Sequence, residues 1–195
     1  MHATIPLTKE ATVRYTLDPA KSNFVVQAFS TGLLSAFAHD PKVAVRDFTG
    51  EAEFVPGEVN LQGARMRIRV VSDSLQPIDD ISDADKQEIH RRMGAEVLHS
   101  DRFPEILYEC SRITGSANGD RYWAALNGEL TLCGVTRPLA ISARVVVNGN
   151  SLRASGEFTL RQSEFGIAPV SAAAGTIRVK DEVKCTFDIL AHKQE

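Results

Sequence analysis

The sequence predicts an all-β fold, an antiparallel eight-stranded barrel with a short helical insertion. Apolar and polar residues alternate with a period of two along most of the chain, which is typical of strands with one buried face. The dipeptides Asn118-Gly119 and Asn148-Gly149 separate such runs, and both suit tight hairpin turns that require positive φ. A single segment has helical spacing instead.

The predicted strands follow directly from this alternation. They cover residues 22–29, 64–71, 106–110, 126–132, 139–147, 152–160 and 177–189. In a further run, residues 42–54, the apolar positions change from Val43 and Val45 to Phe48 and Phe54. Because side chains cannot change face in a regular strand, we expect a bulge or corner between residues 46 and 50.

The helical insertion is predicted over residues 83–99. Ile89, Met93 and Val97 lie four apart, so they share one face of a helix. Ser82 is a candidate N-cap, and we expect Gly94 to divide the segment into two short helices. No linker interrupts the chain, so residues 1–12 are interpreted as an N-terminal extension and residues 13–192 as one domain.

The stretch GELTLCGVTRPLAI, residues 128–141, predicts a hairpin. Leu130 and Leu132 share one face before the break, and Leu139 and Ile141 share one after it. Gly134 supplies the backbone freedom of a turn, and Pro138 suits the first residue of the following strand.

Charge and hydropathy exclude two classes of partner. The chain has 22 Lys and Arg against 25 Asp and Glu, which argues against nucleic acid because phosphate binding needs surplus cations. No apolar run is long enough to span a bilayer, and residues 1–15 lack the features of a secretory signal. As written, the sequence predicts a cytoplasmic protein. A periplasmic protein whose signal had been removed would look the same.

Neither a catalytic site nor a metal site nor a cofactor is predicted. His90 and His99 are nine apart, which does not suit a helical zinc site, and His39-Asp40 has no nucleophile motif beside it. Cys110 and Cys185 fall on the apolar faces of strands, so we interpret them as small buried hydrophobic residues.

The alternation leaves open whether the barrel interior is packed or hollow. Inward positions carry both small residues, such as Ala28, Ala64 and Ala154, and large ones, such as Phe24 and Phe158. An eight-stranded barrel is either just filled by its side chains or able to hold one small ligand.

Several exposed features have two interpretations. Arg65, Arg67 and Arg69 suit a solvated strand face or contacts with anionic lipid headgroups. The run 90–92, His-Arg-Arg, suits a solvated helix face or the rim of a pocket. Trp123 is predicted to point outward, where it could form the contact of a homodimer.

The hairpin sequence GELTLCGVTRPLAI also resembles the signature hairpin of the YceI-like family, lipocalin-like barrels that bind polyisoprenoid and related lipids. Other stretches resemble that family in the same order: YTLDPAKSNFVV (15–26), SDSL (72–75), VLHSDRFPEILYECSRI (97–113), GEFTLRQSEFGI (156–167) and VKDEVKCTFDI (179–189). The resemblance implies an elongated apolar cavity that holds a long-chain isoprenoid or acyl lipid.

With this resemblance, the inward positions become candidate ligand contacts. They are Phe24, Val26, Met66, Ile68, Met93, Phe103, Tyr108, Leu126, Ile141, Ala143, Phe158, Phe165 and Phe187. The resemblance favours carriage or sequestration of the lipid without catalysis. An enzyme acting on such a lipid and a ligand-free scaffold for protein interactions are the alternatives.

Overall fold

The protein folds as a closed antiparallel barrel, as predicted. The structure, a computed structural model, describes residues 11–31, 40–57, 60–168, 170–172 and 177–194. The strands are β1 (Val13–Gln27), β2 (Ser30–Thr31), β3 (Lys42–Val45), β4 (Phe48–Phe54), β5 (Arg65–Val71), β6 (Leu75–Pro77), β7 (Glu105–Cys110), β8 (Ile113–Asn118), β9 (Arg121–Leu132), β10 (Val135–Asn148), β11 (Ser151–Arg161), β12 (Ser171–Ala172), β13 (Ile177–Val179) and β14 (Glu182–Lys193). Among the described residues eight strands form the barrel wall, in the order β1, β4, β5, β7, β9, β10, β11 and β14. Pairing of β14 with β1 closes the wall.

The predicted corner in residues 42–54 is confirmed. The run divides into β3 and β4 at Arg46 and Asp47, and both pieces pair with β1. Val25 of β1 lies opposite Ala44, whereas Val13 lies opposite Phe54. Strands β3 and β4 therefore lie along the two halves of β1, and β3 carries β6 on its other side.

The predicted hairpin at Gly134 is also confirmed. β9 and β10 pair over their full facing lengths and are joined by Cys133 and Gly134. Both turn residues have positive φ, 50° and 73°, which is the geometry of a type I′ turn. A Cβ atom on Gly134 would lie 2.6 Å from the ring of Phe103, so close packing adds a second requirement for glycine.

Two predicted element boundaries were wrong. Residues 177–189 form two strands, because Lys180 and Asp181 turn the chain between β13 and β14. The Asp181 carboxylate holds this turn by accepting hydrogen bonds from the Ser163 backbone N–H and hydroxyl, each at 2.7 Å. Gly94 does not separate two helices, since α1 (Asp83–Arg92) continues directly into a π-helical turn, Met93–Val97.

The N-terminus of α1 is capped as predicted. The Ser82 hydroxyl accepts a hydrogen bond from the Asp85 backbone N–H at 3.1 Å. In the part of the chain that the structure describes, no helix is long and apolar enough to cross a membrane.

Exposure along the barrel wall follows the predicted faces. Cys110 and Cys185 are buried, and Trp123 is 57% exposed beneath the guanidinium group of Arg144, 4.8 Å from its ring centre. The outward arginines of β5 form ion pairs across the strands, Arg65 with Glu53, Arg67 with Glu109 and Arg69 with Glu105. A homodimer contact at Trp123 stays a prediction. Of the N-terminal extension, residues 1–10 lie outside the described residues.

Candidate ligand cavity

A cavity of about 570 Å³ runs through the barrel, and all eight wall strands contribute apolar side chains to it. Tyr122 and Leu132, ten residues apart on β9, both line it. At about 3.3 Å per residue, the stretch of β9 between these two residues is roughly 33 Å long. In a barrel with ordinary strand tilt this corresponds to about 25 Å along the barrel axis, so the cavity is long.

Small side chains leave space within the barrel. Ala143 of β10 lies opposite Ala124 of β9, and both line the cavity. Ala154 of β11 lines it as well, and the open space amounts to about 570 Å³. The question left open by the alternation is thus answered in favour of a cavity.

Three aromatic rings cluster at one end of the barrel, Tyr15, Phe54 and Tyr122, and we call this cluster the aromatic plug. Phe54 and Tyr122 line the cavity. Tyr15 stacks on Phe54 with ring centres 5.4 Å apart, and Phe54 meets Tyr122 edge to face at 5.8 Å. All three residues are buried. The Tyr122 hydroxyl accepts a hydrogen bond from the Gly57 backbone N–H at 2.8 Å, so this phenol faces the rim of the barrel.

A buried carboxylate lies beside the plug. Glu53 accepts hydrogen bonds from Arg65 Nε at 2.6 Å and from Arg14 Nε at 2.7 Å. These arginines, Arg65 first, hold the pKa of the Glu53 carboxyl below its ordinary value. The group therefore stays ionised and fixed within the wall, where it joins three adjacent strands.

The opposite end is covered by the lid, which is α1 together with the π-helical turn that follows it. Ile89, Met93 and Val97 of the lid line the cavity. The Cys133 thiol in the β9–β10 turn approaches the carbonyl oxygens of Val97 and Leu98 at 3.6 and 3.5 Å. Because Cys133 follows Leu132 at the end of β9 remote from Tyr122, the lid and the plug lie at opposite ends.

A phenol lies within the cavity wall. The Tyr108 hydroxyl donates to the Leu139 carbonyl at 3.1 Å and lies 3.3 Å from the Leu126 carbonyl. Burial raises the pKa of Tyr108 well above its ordinary value, so the hydroxyl keeps its proton. The proton of this hydroxyl is used by the protein backbone.

The structure places most of the predicted contacts around the cavity. The lining includes Phe24, Val26, Met66, Ile68, Met93, Tyr108, Leu126, Ile141, Ala143, Phe158 and Phe187. Phe103 lies against the Gly134 turn, and Phe165 is packed in the core within a short 3₁₀ turn, Gln162–Phe165. Neither side chain lines the cavity, so we leave both out of the candidate site. Contact of the other eleven with a ligand stays a prediction.

Other lining residues were not among the predicted contacts. Strand alternation places Ala154 inward and Leu139 on the same face as Ile141, and both line the cavity. Arg92 lines it as well, which agrees with the rim interpretation of residues 90–92. Glu96 also lines the cavity, and no sequence pattern identified it.

An antiparallel barrel with a long apolar cavity is the architecture of small-molecule carriers such as the lipocalins. The family comparison is more specific, since the profile of the YceI-like domain matches residues 15–191. The chain belongs to the YceI-like family.

Similar proteins support the same fold. A UPF0312 protein of Shewanella oneidensis is 30% identical over 127 residues, and one of Pseudomonas paraeruginosa is 32% identical over 127 residues. Each alignment covers 62% of this chain, and it spans 61% and 60% of the two relatives. Among solved structures, Burkholderia cenocepacia BcnA aligns with a TM-score of 0.68 at 17% identity, covering 89% of this chain and 98% of that one. A polyisoprenoid-binding domain from Saccharophagus degradans aligns with a TM-score of 0.65 at 11% identity, covering 92% and 98%.

Proposed function

We propose that this protein binds one long-chain lipid, of isoprenoid or acyl type, inside the barrel and carries or sequesters it. The observation that carries the proposal is the cavity of about 570 Å³ between the lid and the aromatic plug. Its volume lies within the range of about 300–1,000 Å³ that is usual for small-molecule sites. Burial of apolar chain stabilises such a complex by about 0.8 kcal/mol per methylene, so a long chain gains most.

Membership of the YceI-like family and the name of the Saccharophagus neighbour support an isoprenoid chain. The length of the cavity supports one extended chain of either type over a compact ring system. Cytoplasmic localisation stays a prediction, as does the absence of catalysis.

The first test is extraction of purified protein with organic solvent, followed by mass spectrometry. We expect about one long-chain lipid per barrel, and uptake of geranylgeraniol by the delipidated protein. Recovery of no lipid from several expression hosts, together with no uptake of geranylgeraniol or hexadecanol, would contradict the proposal.

A matched pair of variants locates the ligand. Ala143 lines the cavity, whereas Ala140 lies three residues earlier on the same strand and is exposed. Ala143→Phe places a ring where the lipid would lie, so we expect uptake to fall at least about tenfold while the delipidated protein stays folded. The same ring in a fully packed interior would cost about 1–3 kcal/mol of stability.

Ala140→Phe, the control, should bind geranylgeraniol like the parent protein. Equal uptake by both variants and the parent would place the ligand outside the barrel.

A further inference from the structure

A charged pair lies at the lid end of the cavity. Arg92 and Glu96 are four residues apart on the lid, and both line the cavity. Arg92 Nε donates to both Glu96 carboxylate oxygens at 3.2 Å, and Nη2 donates to Oε2 at 3.0 Å. The two side chains are 40% and 49% exposed, so they lie where the apolar cavity meets solvent.

Other polar side chains along the cavity are committed to the fold. The Tyr108 hydroxyl donates to a backbone carbonyl, and Glu53 is held between two arginines. Gln162 donates to the Lys180 carbonyl at 3.0 Å. Arg92 and Glu96 instead bond to each other across one helical turn, on a surface that a ligand entering from the lid end must pass.

The chemistry of the pair restricts what it can receive. Arginine donates hydrogen bonds and does not accept them. Glu96 only accepts, because the hydrogen bond from Arg92 lowers the pKa of its carboxyl and keeps it ionised at neutral pH. A polar group that forms hydrogen bonds with both side chains must therefore accept one from Arg92 and donate one to Glu96.

Both arginines of the lid are paired with carboxylates. Arg92 is matched by Glu96, and the neighbouring Arg91 is matched by Glu88 at 2.8 Å. An anionic headgroup that approaches Arg92 also meets the Glu96 carboxylate, and like charges at short range oppose binding. A cationic headgroup that approaches Glu96 also meets the Arg92 guanidinium group, and like charges oppose binding in the same way.

We propose that Arg92 and Glu96 form a headgroup subsite that selects an uncharged lipid head able to both accept and donate hydrogen bonds, such as a primary alcohol, over a carboxylate on the same chain. This inference rests on the proposed function, because it requires a lipid in the cavity with its head at the lid and its tail toward the aromatic plug.

The test uses three probes of equal chain length: hexadecanol, hexadecanoate at mildly alkaline pH, and hexadecane. Binding to delipidated protein is measured by displacement of a fluorescent lipid. The parent protein should bind hexadecanol about tenfold more tightly than hexadecanoate. Glu96→Gln keeps a polar side chain and removes the negative charge. The affinity for hexadecanoate should therefore rise about tenfold, while the affinity for hexadecanol should change by less than about threefold.

Two further variants complete the test. Arg92→Gln should weaken the binding of hexadecanol and leave the affinity for hexadecane unchanged. Glu88→Gln is the matched control, because it removes an equivalent carboxylate on the same helix that does not line the cavity. It should leave all three affinities unchanged.

The outcomes separate the two proposals. If all three probes bind but the alcohol-to-carboxylate ratio is the same in the parent and in Glu96→Gln, the headgroup subsite is wrong and lipid binding stands. If the parent binds none of the probes, hexadecane included, the proposed function itself is contradicted and the subsite with it.

Discussion

At the scale of single residues, Gly128 is a position where the cavity wall depends directly on a missing side chain. A Cβ atom there would lie 2.5 Å from the Glu109 carbonyl oxygen and 2.6 Å from Tyr108 Cζ. The Tyr108 ring thus crosses the wall over Gly128 and reaches the Leu139 carbonyl on the far strand. The glycine is required by close packing and not by its backbone angles.

We expect Gly128→Ala to destabilise the delipidated protein by about 1–3 kcal/mol, the usual cost of overpacking, because a backbone atom must move. Urea unfolding measures the effect. Asn127→Ala, at the adjacent exposed position, should change stability by less than about 0.5 kcal/mol. A similarly small change for Gly128→Ala would show that the wall accommodates the methyl group and that the contact with Tyr108 is loose.

Individual contacts could be predicted where the backbone is regular. Alternation placed Met66, Ile68 and Ala143 on the inward face because side chains in a strand alternate strictly. Phe103 and Phe165 lie in irregular segments where sequence spacing does not define a face, and their side chains do not line the cavity.

At the scale of elements, the lid is held differently from the barrel wall. None of the ten residues of α1, all of them described, is buried, and of its side chains Ile89 and Arg92 line the cavity. Its other attachments are a hydrogen bond between His90 Nε2 and the Asp73 carbonyl at 2.9 Å and the Cys133 contact at its end. Helices this short are marginal alone in water, so the contents of the cavity should influence the stability of the lid.

We therefore expect hexadecanol to slow amide hydrogen exchange in residues 83–97 by at least about tenfold, with little change in β9 and β10. Exchange followed by mass spectrometry would measure this in delipidated and loaded protein. Ala143→Phe, which should not take up the alcohol, serves as the control. Equal exchange in the lid with and without hexadecanol would mean that the lid does not contact the ligand.

The existence of the lid could be predicted from sequence, but its position could not. The four-residue spacing of Ile89, Met93 and Val97 predicted a helix with one apolar face. What that face covers depends on the pairing of β6 with β3, which directs the chain to one end of the barrel. This pairing joins residues 30 or more positions apart, and local spacing carries no information about it.

At the scale of the whole molecule, closure of the wall determines whether the interior is packed or hollow, which the sequence alone left undecided. The alternation fixes which residues face inward, but the space among them depends on strand tilt and stagger around the ring. In this barrel a channel of about 570 Å³ remains, lined by small residues such as Ala124 and Ala143, and the aromatic plug lies at one end. We infer that the plug stops the tail of the ligand, which gives the channel a length that binding experiments can measure.

Affinity for primary alcohols should accordingly rise with chain length and then stop rising. Each added methylene buried against the wall contributes about 0.8 kcal/mol, or about fourfold in affinity, until the tail reaches Phe54 and its two tyrosine neighbours. Phe54→Leu shortens the plug, so the break should move to longer alcohols, whereas Ala140→Phe on the outer surface should leave it unchanged. The measurement is a displacement titration across the alcohol series. A break that stays at the same chain length in Phe54→Leu would mean that the tail does not reach the plug, and that the ligand lies in the opposite direction or stops short of the rings.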